Sequence, residues 1–202
     1  MDRPILYVVT GPNAAGKSSF IRSRLNDFSA FEVIMTDVYK SRVIDVLHTA
    51  LRNRKNIILE TVFNDSAFVK VIEAAKAAGY ETNLIVLFLN TPQQSLNRVA
   101  ARFLEQNGLE ISKGNVEINF NENFKNISFY HYYFDRVDFI YTGDKDNNEK
   151  VMTLKALEVE FYLSNTHHYI QMFAKFAFSK DRLSQEAFSI INRNVNFPNA
   201  NF

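Results

Sequence analysis

The chain has no cysteine and no tryptophan, and its 202 residues include six glycines and four prolines. Without cysteine there can be no disulfide, no thiolate nucleophile and no cysteine-ligated zinc, and a reducing compartment is permitted. Neither sign of charge dominates. The 23 Lys and Arg against 22 Asp and Glu leave a formal net charge of +1, so no broad field draws the molecule to nucleic acid or to an anionic membrane. No apolar run approaches the ~20 residues of a membrane-spanning helix. The first apolar run begins at Ile5, so no secretory signal is expected before it. A cytoplasmic protein is expected, without nucleic-acid or membrane partners. Apolar residues make up 47%, enough at this length for one α/β domain with a sizeable core.

The scarce glycines are not scattered. Two of them frame Gly11-Pro12-Asn13-Ala14-Ala15-Gly16-Lys17-Ser18, which follows the apolar run Ile5-Leu6-Tyr7-Val8-Val9 and leads into Ser19-Phe20-Ile21-Arg22. The order strand, glycine loop, helix with Gly-x-x-x-x-Gly-Lys-Ser spacing is the P-loop signature. Glycine opens backbone angles closed to other residues, so the loop can wrap an anion with its N–H groups pointing inward. The following helix presents its positive end to the same phosphates. Residues 11–19 are therefore read as the ATP site. Lys17 reaches the β- and γ-phosphates, and the Ser18 hydroxyl is the Mg²⁺ ligand.

The remaining chain alternates strand and helix patterns. Strands are expected at residues 5–9, 31–35, 56–59, 84–89 and 137–141, with helices at 17 to about 25, after Asp37, before Gly79, after Pro92 and up to about 133. This predicts a P-loop kinase-like α/β fold: a five-stranded parallel sheet with right-handed crossovers. Ligands bind beyond the C-terminal strand ends of such sheets, where Gly11, Asp37, Glu60, Asn90 and the polar loop from Thr142 to Glu149 all fall. A lid is expected over about 106–128, within a core of residues 1–150. Residues 151–163, 168–178 and 183–191 read as extra C-terminal helices packed on that core in the same domain. The asparagine-rich tail from Asn192 is expected to be mobile.

These residues resemble the zeta-toxin family of P-loop kinases over roughly residues 5–145. The P-loop is similar to that family's Gly-Pro-Asn-Gly-Ala-Gly-Lys-Ser/Thr, with Ala14 in place of the middle glycine. Asp37 sits where the family has an Asp after its second strand. Glu60-Thr61-Val62-Phe63-Asn64 resembles Glu-Thr-Thr-Leu-Ser, Gly79-Tyr80 matches a usual Gly-Tyr, and Arg98-Val99-Ala100-Ala101-Arg102 matches Arg-Val-x-x-Arg. The lid departs from the pattern. Asn107-Gly108-Leu109-Glu110-Ile111 stands for Gly-Gly-His-x-Val, and Asn119 stands where Ile-x-x-Arg-Tyr has its arginine. Phe124-Lys125-Asn126-Ile127 then resumes the match to Leu-Arg-Asn-Leu.

The resemblance implies ATP- and Mg²⁺-dependent phosphorylation of a hydroxyl on a nucleotide sugar such as UDP-N-acetylglucosamine, and an antitoxin protein as a possible partner. It implies Asp37 as the general base, Lys17 and Arg102 as the cations on the transferring phosphate, Thr61 and Arg98 as acceptor-side residues, and Glu60 on the acceptor hydroxyls or on a Mg²⁺-bound water. Each also has a plainer reading: Asp37 as a helix cap, Glu60 as a solvated strand-end carboxylate, Arg98 and Arg102 as exposed helix arginines. Arg98, Arg102, Lys113 and Lys125 are the candidates to replace the cation missing at Asn119. Two rival functions stay open: a nucleotide-binding regulator with a decayed site, and a kinase of another acceptor. The loop at 141–146 is a candidate adenine seat. The aromatic run 130–133 reads as packing, and His167-His168 lacks partners at metal-ligand spacing.

Overall fold

The computed structural model describes residues 3–24, 26–106, 111–144 and 147–198. Its centre is a seven-stranded sheet of order β2-β3-β1-β4-β5-β6-β7. The strands β1 (Ile5–Thr10), β2 (Phe31–Met35), β3 (Asn56–Thr61), β4 (Glu81–Phe88) and β5 (Arg136–Asp144) run parallel, while β6 (Asn147–Lys155) and β7 (Glu158–Tyr162) extend the sheet antiparallel. Register brings the functional ends level. Thr10 lies opposite Thr61, Met35 opposite Glu60, and Phe88 opposite Tyr141.

Strands that are apolar on both faces need cover on both faces. One face carries Leu6, Val8, Ile57, Leu59, Val86 and Phe139, packed beneath α3 (Val43–Arg52), α4 (Phe68–Ala77), α6 (Lys113–Tyr130), α7 (His168–Ser179) and α8 (Gln185–Arg193). The other carries Val9, Ile58, Ile85 and Leu87 against Ala15 of the loop and Phe20 and Ile21 of α1 (Lys17–Arg22). The helix after Asp37 is broken. A single turn, α2 (Thr36–Tyr39), stops at Lys40, whose φ of 50° and ψ of −122° do not continue an α-helix. A short 3-10 segment, Lys40–Arg42, then leads into α3. α5 (Pro92–Gln106) follows β4, and the N-cap Ser112 accepts from Asn115 N at 3.3 Å to open α6.

Three expectations are corrected. The sheet has seven strands rather than five. Residues 151–163 are not a helix but the β6–β7 hairpin, with Val151, Met152, Thr153 and Leu154 all fully buried. Of the polar stretch 142–149, residues 142–144 end β5 and 147–149 begin β6. The tail is tied down as far as the structure describes it: Tyr162 and Phe197 exchange N–H to carbonyl bonds of 2.8 Å in both directions. Leu25, Leu109, Lys145, Asp146 and the last four residues lie outside the described residues.

Candidate active site

The loop between β1 and α1 has the backbone its glycines predict. A Cβ on Gly11 would lie 2.2 Å from the Leu87 carbonyl oxygen, so no larger residue fits between the loop and β4. Gly16 holds φ at 87°, and Ala14 sits at φ 56° where the resembling motif has glycine. The loop is braced from α5, where Ser95 Oγ donates to Asn13 O at 2.6 Å, and from β5, where Thr142 Oγ1 donates to Ala15 O at 2.9 Å. Lys17 Nζ donates to the carbonyls of Gly11 and Pro12 at 3.0 and 3.1 Å. Burial pulls its pKa below the usual lysine range, with Glu60 and Asp37 opposing that shift.

Beside the loop, Ser18 Oγ donates to Glu60 Oε1 at 3.1 Å. Glu60 is the penultimate residue of β3 and is 6% exposed. Its second oxygen, Oε2, is buried with no hydrogen-bond partner among the described residues. Burial raises its pKa, while the Lys17 charge and the Ser18 hydroxyl hold it down. An orphaned carboxylate oxygen next to a P-loop hydroxyl is a cost in a protein interior that a cation or a donor hydroxyl would offset. A solvated strand-end carboxylate does not describe this residue. Nor is Asp37 a helix cap: Met35 holds the N-cap position of α2, which has no side-chain cap bond. Asp37 instead faces the same cavity as Lys17, Ser18 and Glu60.

That cavity has a volume of about 570 Å³. Its cationic wall comprises Lys17, Arg22, Arg98 and Arg102, against the carboxylates of Asp37 and Glu60. Arg98 is partly committed, since its guanidinium donates to the carbonyls of Thr142 and Ala14. Arg102 has no carboxylate within ion-pair distance among the described residues. Thr61 lines the cavity, and its Oγ1 accepts from Phe63 N at 3.0 Å. Ser19 does so beside Arg22, which donates to its Oγ at 3.5 Å. Arg22 was missed by the sequence reading, although it lies four residues after Ser18 and so on the same helix face.

Asn119 also lines the cavity. Its amide donates to Asn13 Oδ1 at 2.9 Å and accepts from Asn64 Nδ2 at 2.7 Å. Of the candidate replacements for a cation there, Lys113 pairs with Glu117 at 3.8 Å and Lys125 with Glu122 at 3.5 Å, and neither lines the cavity. The candidate adenine seat is not part of it either. Tyr141 packs against Phe88 and lies 4.0 Å from the His167 ring, and Thr142 is spent on bracing the loop.

A family model described as Zeta toxin matches residues 39–156, more than half of the sequence. The chain belongs to the zeta toxin family. The match includes Glu60, Thr61, Arg98, Arg102 and Asn119, while the P-loop and Asp37 precede it. No curated protein matches the sequence. Among solved structures, similarity extends to a chain from the PezAT chromosomal toxin–antitoxin system of Streptococcus pneumoniae, with 14% identity, a TM-score of 0.57, and coverage of 96% of this chain and 85% of that one. The AvrRxo1-ORF1:AvrRxo1-ORF2 complex with sulphate ions gives 15% identity and a TM-score of 0.61 over 87% of this chain, which spans 64% of the chain it matches. The same complex solved with ATP gives a TM-score of 0.60. At these identities the likeness is one of fold: a mostly parallel sheet covered by helices.

Proposed function

We propose that this zeta-toxin-family chain transfers the γ-phosphoryl group of ATP to a hydroxyl of a small acceptor, a nucleotide sugar such as UDP-N-acetylglucosamine. The observation that carries the reading is the Ser18–Glu60 pair with its orphaned Glu60 oxygen, set beside the P-loop lysine and facing Asp37 across one cavity. These groups fit a magnesium ion. The Ser18 hydroxyl would hold it, with Glu60 reaching it directly or through water, and it would neutralise charge on the β- and γ-phosphates. The loop N–H groups and Lys17 bind and orient the nucleotide. Asp37 takes the proton of the acceptor hydroxyl while the acceptor oxygen bonds to the γ-phosphorus and the bond to the β–γ bridging oxygen breaks, releasing ADP. Arg102, with Arg22, stabilises charge on the transferring group. Arg98, already bonded to Ala14 and Thr142, positions the loop.

Calorimetry with ATP·Mg²⁺ tests the nucleotide site. Lys17→Ala removes the charge aimed at the phosphates, so affinity falls at least several-fold; equal affinity in the two proteins would falsify the reading. ADP release with UDP-N-acetylglucosamine and a panel of other hydroxyl acceptors tests the acceptor. A second reading, a nucleotide-binding regulator with weakened transfer, is favoured by Asn119, which places an uncharged amide against the P-loop. It predicts tight ATP binding without turnover on any acceptor. The family assignment adds an antitoxin-type partner and a cytoplasmic setting to the proposal. Among the described residues no helix is long and apolar enough to cross a membrane.

A further inference from the structure

The turn after β3 carries an unusual backbone. Phe63 holds φ at 53° although its side chain is bulky and fully buried. A residue of this type adopts that conformation only where its surroundings over-determine it. Here they do. Phe63 N donates to Thr61 Oγ1 at 3.0 Å, and Phe63 O accepts from Asn126 Nδ2 at 3.0 Å. Val62 O accepts from Thr10 Oγ1 at 3.1 Å and also from Asn123 Nδ2. The Phe63 ring packs against Phe68 and Tyr130.

Two of these donors come from one face of α6. Asn119, Asn123 and Asn126 follow the i, i+4, i+7 pattern of a single helical stripe. Asn123 is 1% exposed and Asn126 6%, so both amides are polar groups in an interior that apolar side chains would fill at lower cost. What apolar side chains would not do is hold carbonyls. Asn123 Nδ2 donates both to Val62 O and, at 2.9 Å, to Thr10 Oγ1, on the residue immediately before Gly11. One amide therefore joins the root of the phosphate loop to the turn that follows Glu60 and Thr61. One helical turn earlier Asn119 repeats the link, from Asn13 to Asn64.

We propose that Asn123, assisted by Asn126, is a positioning residue: the amide ladder of α6 fixes the strained turn at residues 61–64 against the root of the P-loop, and so sets the distance between the phosphate loop and the cavity-lining groups Glu60, Thr61 and Asn64. The inference rests on the cavity being a phosphoryl-transfer site, but the ladder itself can be tested without a ligand. Neither Asn123 nor Asn126 lines the cavity; both act through the turn.

The test uses Asn123→Leu, which keeps the branching of the side chain and removes the donors, with Asn126→Leu as a second variant. Amide hydrogen exchange at Phe63 and Asn64 is expected to quicken at least tenfold, while amides of β4 stay within twofold of wild type. ATP·Mg²⁺ affinity by calorimetry stays within threefold. In ADP release, with UDP-N-acetylglucosamine or water as acceptor, kcat falls at least tenfold and KM for ATP is unmoved. Unchanged exchange in the turn overturns the proposal, as does exchange that rises equally in β4, which would mark a residue that only stabilises the fold. Quickened exchange with wild-type kcat also overturns it. A wild type that binds no ATP·Mg²⁺ defeats the kinase reading instead, and the exchange measurement then still decides whether the ladder holds the turn.

Discussion

Asn119 stands against the third residue of the P-loop, 2.9 Å from Asn13 Oδ1, inside the cavity. The side chain is uncharged at a position where the resembling motif carries arginine, and an arginine on the transferring phosphate can be worth 10³–10⁵ in rate. Asn119→Arg is therefore expected to raise ADP release with a working acceptor by roughly tenfold or more, less than that range because the Asn13–Asn64 link is lost at the same time. Robust wild-type turnover with no gain in the variant would mean that Arg102 or Arg22 already fills the role. Asp37 makes a separate prediction. It faces the cavity without capping its helix, so Asp37→Asn should leave ATP affinity largely intact and reduce turnover by about 10²–10⁴, the usual span for a general base. Near-wild-type kcat in that variant would remove Asp37 from the chemistry.

The 3-10 segment His131–Tyr133 at the end of α6 shows how elements are locked together. The His131 ring is fully buried, 4.9 Å from Phe173 of α7, and its Nε2 lies 2.8 Å from Arg182 O, ahead of α8. Burial lowers its pKa from 6.5 to about 4, with the backbone carbonyls opposing the shift. The unfolded chain binds the proton more readily between these values, so stability is full above pH 6.5 and is lost as pH falls toward 4. A shift of that size corresponds to about 3 kcal/mol. Urea titrations from pH 7 to 4 should show this fall, and His131→Gln, which keeps a donor, should flatten it; an unchanged slope would assign the acid sensitivity elsewhere. Elements also differed in how legible they were. The P-loop with its flanking strand and helix could be read because glycine spacing and apolar runs coincide there. The β6–β7 hairpin could not. Leu154-Lys155-Ala156-Leu157-Glu158 is made of good helix formers, and the turn uses Ala156 at φ 54° rather than a glycine or asparagine that would announce it. Pairing with β5 overrode the local preference. The amide ladder was equally hidden, since asparagines on a helix signal nothing until the carbonyls they meet are known.

At the scale of the whole molecule, the sheet order leaves β7 as one edge, and an uncovered edge strand invites pairing with other chains. The chain after α8 returns to cover it. Asn194, left-handed at φ 54°, turns the backbone, and its Oδ1 accepts from Tyr162 OH at 2.7 Å and from Asn165 N at 3.0 Å. Asn196 Oδ1 accepts from Ser164 N at 2.7 Å, and Phe197 completes a bridge to Tyr162. Two of the asparagines that made this tail read as mobile, Asn194 and Asn196, anchor it. Composition records that a side chain is polar, not whether a partner awaits it. Deleting residues 194–202 would remove these hydrogen bonds, each worth about 1 kcal/mol net, but would also release the ordered backbone, which costs roughly 1–2 kcal/mol per residue to fix. The two terms nearly cancel, so thermal unfolding should shift by no more than about 5 °C. ATP affinity should be unchanged, because no residue of this tail lines the cavity among the described residues. The larger effect is expected in association: light scattering should show concentration-dependent oligomers through the bared β7 edge. A truncated protein that stays monomeric at high concentration would show that the short, charge-bearing β7 is protected without its cover, and a large loss of stability would show that the tail belongs to the core.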